Sequence, residues 1–425
     1  MLEAELLKDL HRRQKEILEF LDGRLLIVAS AYEKVRNNDV YHPFRQDSQF
    51  HYLTAFPEPD SVAVFDPQDE RDHYTLFVRE RDKFKELWQG FRYGVDDAAR
   101  IFQVDKAFPL NKLEDILVKK IFDRDVVLWV EDGHPCEDSL LMLTEGNCSE
   151  SDDYELLEKL GEMRAVKSDW EISCLRQASR ISTEAHHALM KRSLLANNEY
   201  NLHAEFAYYC HNQGASSMAY PPIVASGTNA TCLHYGANNR VIDRQGLVLV
   251  DAGCEIHGYA ADITRTFPAS GTFSPLQKEC YEMVLRAQKE ALKTIAPNNS
   301  LGNVHNTAVA VLTEGMIELG LLSTSLDEAI EKKLYADFYP HGTGHWLGLD
   351  VHDCGPDKFT GFRERMAFTV EPGFYVQEYN DKVPEEFKGI GIRIEDNVVI
   401  TANSCENLTF NCVKEVNDVE AMVLN

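Results

Sequence analysis

The sequence has no cysteine pair with the C-x-x-C spacing that is typical of a zinc knuckle or a thiol redox site. Its ten cysteines are scattered along the chain. We therefore expect them to be buried thiols of a protein from a reducing compartment.

Long hydrophobic runs are also missing, because no stretch approaches the ~18 uninterrupted apolar residues of a membrane-spanning helix. Residues 1–21 mix apolar side chains, such as Leu6, Leu10, Ile17 and Leu21, with many charged ones. This pattern predicts an amphipathic helix and not the apolar core of a signal peptide. The expected location is the cytoplasm, and no membrane partner is expected.

Basic residues are few relative to acidic ones, with 43 lysines and arginines against 69 aspartates and glutamates and a formal net charge of −26. A field of this sign repels phosphate backbones and anionic lipid surfaces, and the sequence contains no local basic patch. We therefore expect no nucleic-acid partner. Some of the acids are candidate ligands for cations.

The length of 425 residues exceeds what one hydrophobic core usually supports, so two domains are expected. In the first part, short runs of β-branched and aromatic residues alternate with helical patterns, which predicts a small α/β domain. Strands are predicted at residues 25–29, 61–65, 73–78 and 126–130, and helices at residues 81–89 and 113–122.

Two stretches of the first part are predicted to be irregular. Residues 41–56 mix aromatic and charged side chains without a period and lead into two prolines, which is typical of a loop. Residues 144–153 are mostly small and acidic, which is typical of a linker or of a loop just before one. The predicted domains are residues 1–165 and 166–425.

The second part is predicted to be an α+β domain whose strands carry acids. Helices are predicted at residues 169–195, 199–213, 275–296, 304–319 and 326–334, and strands at residues 247–251, 259–267, 366–373 and 391–396. Asp251, Asp262, Glu371 and Glu395 lie in or at the ends of these strands. One acid in an apolar strand is typically part of an ion pair, but four acids would repel one another strongly unless cations lay between them.

A glycine-rich stretch, residues 341–353, adds the histidines His341, His345 and His352. Alone, it is equally well explained as histidines in a structural turn. Together with the four acids it indicates two divalent ions, whose charge offsets four carboxylates. Mostly oxygen ligands with one or two nitrogens favour manganese, with cobalt or zinc as alternatives, and hydrolysis is the natural reaction of such a pair.

Residues 341–353 match the proline-peptidase signature, and the sequence resembles the pita-bread metallopeptidases. Within that fold, which creatinase and methionine aminopeptidase share, it resembles the Xaa-Pro aminopeptidase (aminopeptidase P) family. The resemblance extends to the lid-like residues 383–396, to residues 44–48 and 58–60 near the N-terminus, and to the acid-bearing strands.

The resemblance implies a ligand set for two metal ions. Asp251 is expected to bind one ion, Asp262 and Glu395 to bridge both, and His345 with Glu371 to complete the second. Glu371 is also expected to take the proton from a bridging water.

The resemblance also implies residues that meet the substrate. His234 and His352 are expected to contact it and to stabilise the tetrahedral intermediate, and His341 to line the pocket and donate to the substrate carbonyl. Arg393 is expected either to orient a carboxylate near the metals or to meet the substrate, and a purely structural ion pair is an equal alternative.

Trp88 resembles a position at which the N-terminal domain of one subunit caps the active site of a neighbour, which implies a homodimer or homotetramer. The alternative for Trp88 is an ordinary core or surface tryptophan.

The implied activity is removal of the N-terminal residue from peptides with proline in the second position, by attack of a metal-bridging hydroxide. Prolidase, which cuts Xaa-Pro dipeptides, shares the ligands and is the nearest alternative. Methionine aminopeptidase usually lacks so long an N-terminal domain. Metal-free relatives that bind peptides or histones, or cleave creatine, lack the carboxylate set that this chain has.

Overall fold

The computed structural model describes residues 2–148 and 150–425, and the side chains of residues 150–153 are outside that description. The chain divides into two units, Met1–Met163 and Arg164–Asn425. The predicted linker at residues 144–153 lies partly outside the described residues, and the predicted domain boundary after residue 165 stays a prediction.

The first unit is built on a mixed five-stranded sheet. In spatial order its strands are Lys106–Pro109, Tyr74–Val78, Val62–Phe65, Leu25–Ala29 and Val126–Trp129. The two outermost pairings are parallel and the two inner ones antiparallel. Every residue of the inner strand Leu25–Ala29 is buried, because elements cover both faces of the sheet there. The predicted α/β character of this unit is confirmed.

Helices flank this sheet, and the N-terminal one confirms the amphipathic pattern by burying Leu6, Leu10, Ile17 and Leu21. The helices of the first unit are Ala4–Leu21, Ser48–Thr54, Lys83–Gln89, Gly94–Phe102, Leu113–Ile121 and Glu137–Thr144, with Glu150–Ala165 at its end. Further short elements are the strands Val35–Asn37 and Val40–Tyr41 and the 3₁₀ turn Leu110–Lys112.

The prediction of an irregular loop over residues 41–56 is wrong, because the helix Ser48–Thr54 lies within it. The Asp47 side chain accepts a hydrogen bond from the backbone N–H of Phe50, and Ala55 ends the helix in a left-handed conformation. The helix therefore depends on its N-cap more than on a hydrophobic period. Prolines that follow it made the whole stretch look irregular.

The helix Lys83–Gln89 is unusual because none of its residues is buried. Trp88 on this helix is 75% exposed, and the neighbouring Phe84, Leu87 and Phe91 are exposed as well. Trp88 is therefore a surface residue of the first unit and not a core one.

The second unit contains short antiparallel strands covered by long helices, as the predicted α+β class requires. Its sheets join Thr264–Pro268, Leu247–Asp251 and Ile223–Ser226; Tyr259–Ala260, Cys254–Ile256 and Ser217–Met218; Ala367–Val370, Asp396–Ile400 and Cys405–Asn407; and Gly373–Tyr375 with Gly391–Arg393. Its helices are Asp169–Arg192, Glu199–Asn212, Pro275–Lys293, Leu301–Glu318, Leu326–Glu331 and Val416–Leu424, and its 3₁₀ turns are Gly227–Thr231, Leu334–Asp337 and Glu385–Phe387.

Side-chain caps fix where the long helices begin. Ser168 and Glu171 form a reciprocal capping box at the start of Asp169–Arg192, and Ser274 with Gln277 does the same for Pro275–Lys293. Apolar faces of these helices then pack onto the strands; Ile181 and Leu189, for example, share one buried cluster with Val248. The sheets are thereby held rigid enough to position polar residues at their ends.

None of the ten cysteines, all of which are described, forms a disulfide. The prediction of buried thiols is wrong for Cys148 and Cys232, which are exposed. Within the described residues, no helix combines the length and the apolar character needed to cross a membrane. The predicted cytoplasmic location stays a prediction.

Candidate active site

All the residues predicted for the site line one cavity of about 330 Å³ in the second unit. They come from strand ends and the residues beside them, from the turn that contains His234, and from the histidine loop, which we define as residues 341–353. The residues are His234, Asp251, Asp262, His341, His345, His352, Glu371, Arg393 and Glu395.

Strand pairing brings the acids together. Asp251 ends the strand Leu247–Asp251 and is paired with Thr264 on the neighbouring strand. Asp262 lies two residues before Thr264, in the connection between Tyr259–Ala260 and Thr264–Pro268. The prediction of one continuous strand over residues 259–267 is therefore wrong, and the interruption places Asp262 beside Asp251.

Two hydrogen-bonding residues hold the acids that follow the strands. The side-chain oxygen of Asn397 accepts a hydrogen bond from the backbone N–H of Asp262 at 3.0 Å, and its side-chain amide donates to the Asp262 carbonyl. The Thr264 hydroxyl donates to Oε2 of Glu395 at 2.7 Å, and the backbone N–H of Glu395 donates to the Thr264 carbonyl. Asn397 and Thr264 thereby fix the backbone positions of Asp262 and Glu395, and no sequence pattern indicates either role.

The histidine loop is fastened at both ends. Gly344 approaches the neighbouring strand so closely that a Cβ there would lie 1.9 Å from the Thr369 carbonyl oxygen. At the other end, the buried Asp353 carboxylate forms ion pairs with Arg164 and with Lys167, whose Nζ lies 3.2 Å away. Backbone contact and buried charge pairs together fix the histidines relative to the strands.

His345 presents one ring nitrogen to the acids. Its Nδ1 lies 3.0 Å from the Trp346 carbonyl oxygen, which can only accept, so Nδ1 carries the proton that it donates. Its Nε2 lies 3.3 Å from Oδ2 of Asp262 and 3.5 Å from Oε1 of Glu371. Ligand atoms of Asp262, His345 and Glu395 all lie within 4.8 Å of one another. Two carboxylates and an oriented imidazole nitrogen fit a divalent cation.

The electrostatics of the cavity are dominated by burial and by repulsion between the acids. Burial and the neighbouring carboxylates raise the pKa of Glu371 to about 7 and hold that of Glu395 well above its usual range. Burial also raises the pKa of Asp251. Although burial opposes it, contact with Asp262 and Glu371 raises the pKa of His345 to about 9. The acids therefore favour positive charge at their centre.

Tyr220 adds a neutral group between two of the acids. Its hydroxyl lies within hydrogen-bond distance of one carboxylate oxygen of Asp251 and one of Asp262. Burial, with the nearby carboxylates, holds the pKa of the Tyr220 hydroxyl well above its usual value. Sequence reasoning missed this residue, because a tyrosine before two prolines carries no signal for a site.

Arg393 begins a directed chain of hydrogen bonds. Its Nη2 donates to Oδ2 of Asp251 at 2.6 Å, and its Nη1 donates to the Tyr375 hydroxyl oxygen at 2.9 Å. Nδ1 of His341 donates to the Gly342 carbonyl at 2.8 Å, so Nε2 accepts the Tyr375 proton at 2.9 Å. The contact of Arg393 with Asp251 is an ion pair that also orients the Asp251 carboxylate. The structural ion pair and the orienting role, given above as alternatives, therefore coincide in one contact.

This chain keeps His341 neutral. Burial and the Arg393 charge lower the pKa of His341 to about 3. Both of its ring nitrogens are engaged within the protein, so His341 forms a fixed wall of the cavity. Sequence reasoning missed Tyr375, because a tyrosine in a short buried strand is indistinguishable from core.

The remaining histidines, His234 and His352, lie on the exposed side of the cavity. The ring centroids of His352 and His345 are 4.3 Å apart in an edge-on arrangement. Burial and the neighbouring His345 lower the pKa of His352. A neutral imidazole there is able to donate one hydrogen bond toward the cavity.

Replacing Tyr375 with phenylalanine tests the chain from Arg393 to His341. We expect Tyr375→Phe to lower kcat/KM for an Xaa-Pro-Yaa peptide, the substrate that the resemblance implies, by about ten- to hundredfold. Without the Tyr375 hydroxyl, Arg393 loses an acceptor and Nε2 of His341 loses a donor. Steady-state kinetics provide the measurement. Tyr379→Phe, at an exposed position outside the cavity, is the matched control, and equal kinetics for both variants would contradict the expectation.

Comparison with known proteins agrees with this geometry. Residues 173–402 match the model of metallopeptidase family M24, and residues 10–129 match the aminopeptidase P N-terminal domain. A Xaa-Pro aminopeptidase of Haemophilus influenzae is 39% identical over 97% of this chain and 96% of its own length. The Escherichia coli Xaa-Pro aminopeptidase is 36% identical over the same shares of the two chains.

Solved structures show the same architecture. A Pseudomonas aeruginosa aminopeptidase has a TM-score of 0.92 with 39% identity, over 98% of both chains. Escherichia coli aminopeptidase P with the inhibitor Pro-Leu has a TM-score of 0.93 with 35% identity, also over 98% of both chains. The predicted pita-bread architecture of the second unit is confirmed. With its acid-lined cavity, its two matching domains and these relatives, the chain belongs to metallopeptidase family M24 and carries the aminopeptidase P type of N-terminal domain.

Proposed function

We propose that this protein is a metal-dependent exopeptidase that removes the N-terminal residue from peptides with proline in the second position. One observation carries the proposal: four carboxylates and four histidines of the predicted site converge on one cavity that Arg393 also lines. Relatives named Xaa-Pro aminopeptidase at 36–39% identity over nearly the full length support the same activity.

The proposed cofactor is a pair of divalent ions, which Asp251, Asp262, His345, Glu371 and Glu395 would hold. The fit rests on the crowding of acids described above and on the nitrogen that His345 turns toward them. Such ions supply Lewis-acid polarisation of a carbonyl and bring the pKa of water into the neutral range. Mostly oxygen donors favour manganese, with cobalt and zinc as alternatives.

Glu371 is the proposed general base. Its carboxylate lines the cavity, with Oε1 3.5 Å from Nε2 of His345. In that position it would accept a proton from an attacking water and pass it to the departing amine.

The histidines and Arg393 have proposed positioning roles. His234 and His352, on the exposed side, would donate to the substrate carbonyl as negative charge develops on its oxygen. His341, with both nitrogens engaged, would shape the wall against which a proline ring packs, in place of the donor role expected for it. Arg393 would hold the carboxylate of Asp251 in its ligand orientation.

Chelation tests the metal requirement. We expect dialysis against a chelator to abolish cleavage of an Xaa-Pro-Yaa peptide and added Mn²⁺ to restore it, since carbonyl polarisation would depend on the ions. Calorimetric titration with Mn²⁺ gives an independent readout. Glu395→Gln should weaken Mn²⁺ binding by at least about tenfold, whereas the exposed Glu378→Gln should not; full activity without metal would contradict the proposal.

Substrate length separates the proposed activity from that of prolidase. We call the cavity of about 330 Å³ that the four acids line the metal-site cavity. A second cavity of about 350 Å³ shares His341, Gly342 and Gly344 with it, and this second space has room for residues that follow the proline. We therefore expect release of the first residue from Xaa-Pro-Yaa peptides at a higher kcat/KM than cleavage of Xaa-Pro dipeptides. Chromatography of the products measures both reactions, and cleavage of dipeptides alone would favour prolidase.

We also propose that the protein forms a homodimer or homotetramer in which Trp88 lies near a neighbouring site. The exposed apolar side chains around Trp88 support this, because an apolar patch of this kind is normally covered in an assembly. Sedimentation analysis should show an oligomer that Trp88→Ala weakens. Phe122→Ala, at another exposed aromatic residue of the same unit, should leave it unchanged, and a monomeric wild-type protein would contradict the proposal.

A further inference from the structure

The second cavity has walls of its own beyond the three residues that it shares with the metal-site cavity. It lies between the first turn of the helix Leu301–Glu318, the 3₁₀ turn Leu334–Asp337 and residues 358–359. His341, Gly342 and Gly344 line both spaces, so the two cavities adjoin along this short wall. We call it the lysine cavity, after Lys333 and Lys358.

The lysine cavity differs from its neighbour in the charged side chains that line it. Lys333 and Lys358 line it, and within the described part of the chain no aspartate or glutamate does. Four carboxylates line the metal-site cavity. The chain has a net charge of −26, so a space lined by two lysines and no acid differs in sign from the charge of the chain as a whole.

Neither lysine is neutralised by a partner. Across residues 2–148 and 150–425, neither Lys333 nor Lys358 forms an ion pair with a carboxylate. The positive end of the helix Leu301–Glu318 faces the same space and adds to their potential. His305 stays neutral, because burial and the Lys358 charge lower its pKa. Nζ of Lys358 lies 5.4 Å from the centroid of the Phe359 ring, a contact that leaves its charge without a counter-ion.

We infer that the lysine cavity binds a carboxylate of the peptide substrate on the C-terminal side of the proline, either the chain terminus or an acidic side chain. This inference rests on the proposed exopeptidase function. A negatively charged carboxylate suits a space lined by two lysines and no acid. A peptide whose scissile bond lies at the metal site would reach this space with the residues that follow the proline.

The wall beside Lys358 gives the cavity an apolar surface as well. A Cβ on Gly302 would lie 2.4 Å from the Phe359 ring, so this ring packs directly on the helix backbone. The backbone N–H of Gly302 donates to the Lys358 carbonyl at 2.9 Å, which fixes residue 358 on the helix end. The side chain of Lys358 therefore projects from an anchored backbone, and the Phe359 ring is available to a peptide side chain.

The test compares peptides that differ only in charge. Ala-Pro-Ala, Ala-Pro-Ala-Ala and Ala-Pro-Ala-Ala-Ala are each assayed with a free and with an amidated C-terminus. We expect kcat/KM to be about three- to tenfold higher for the free acid at one or more of these lengths, mainly through a lower KM. Amidated peptides with Asp or Asn after the proline distinguish a side-chain carboxylate from the chain terminus.

The double variant Lys333→Gln with Lys358→Gln assigns the effect to this cavity. We expect its ratio of kcat/KM for acid and amide peptides to fall to about one. The matched control, Lys278→Gln with Lys293→Gln, changes the net charge equally on a helix that does not line the cavity, and its ratio should stay at the wild-type value. High salt should reduce the wild-type ratio as well.

Two results would overturn the inference: equal rates for acid and amide peptides with the wild-type protein, and the same ratio in the lysine variant and the wild type. A loss that affects both kinds of peptide equally indicates a structural role for the lysines and also counts against it. Failure of the wild-type protein to cleave any Xaa-Pro peptide would instead reject the proposed function, so the two failures are distinguishable.

Discussion

The mutual repulsion of four buried carboxylates is the constraint on which the rest of the second unit depends. Asp251, Asp262, Glu371 and Glu395 share one cavity, and burial makes their charges costly. Three side chains next to the acids offset this repulsion: the buried guanidinium of Arg393, the Tyr220 hydroxyl between Asp251 and Asp262, and the imidazole of His345. These groups hold the acids in place, and their geometry leaves a centre suited to positive charge.

Holding such a site requires rigidity from groups that never line it. Asn397 clamps the backbone of Asp262, and Arg265 donates to the carbonyl of Glu395 while its guanidinium pairs with the buried Asp396. Removing one member of a buried charge pair leaves the other without compensation, which costs about 3–5 kcal/mol. Much of the polar interior of this unit is therefore explained by the need to keep the acids at fixed separations.

The two adjoining cavities also show how one fold can discriminate along a peptide. The metal-site cavity and the lysine cavity share a short glycine-containing wall but differ in the side chains that line them, with four carboxylates in one and two lysines in the other. In the proposed function, metal ions would offset the carboxylates, and a substrate carboxylate would be attracted to the lysines. The neutral His341 stands at the junction, held by Tyr375 and by the Gly342 carbonyl.

Sequence alone determined the class of the protein and most of its elements. The strand Leu247–Asp251 lies where its apolar run predicts, and the long helices match their periodic patterns within a few residues, because burial patterns are local and repeat along the chain. The unusual acids and the histidine loop marked the site. The helix Ser48–Thr54 was missed, since its N-cap at Asp47 is a single-residue signal.

Tertiary structure alone decided which groups surround the acids. Tyr220, Tyr375, Thr264 and Asn397 are ordinary residues in the sequence, and they acquire roles only because antiparallel pairing and chain interruptions bring them within hydrogen-bond distance of residues far along the chain. The same holds for the lysine cavity, where Lys333 and Lys358 come from separate segments. Local patterns specify helices and strands, but donor–acceptor geometry and local charge arise from distances that only the folded chain defines.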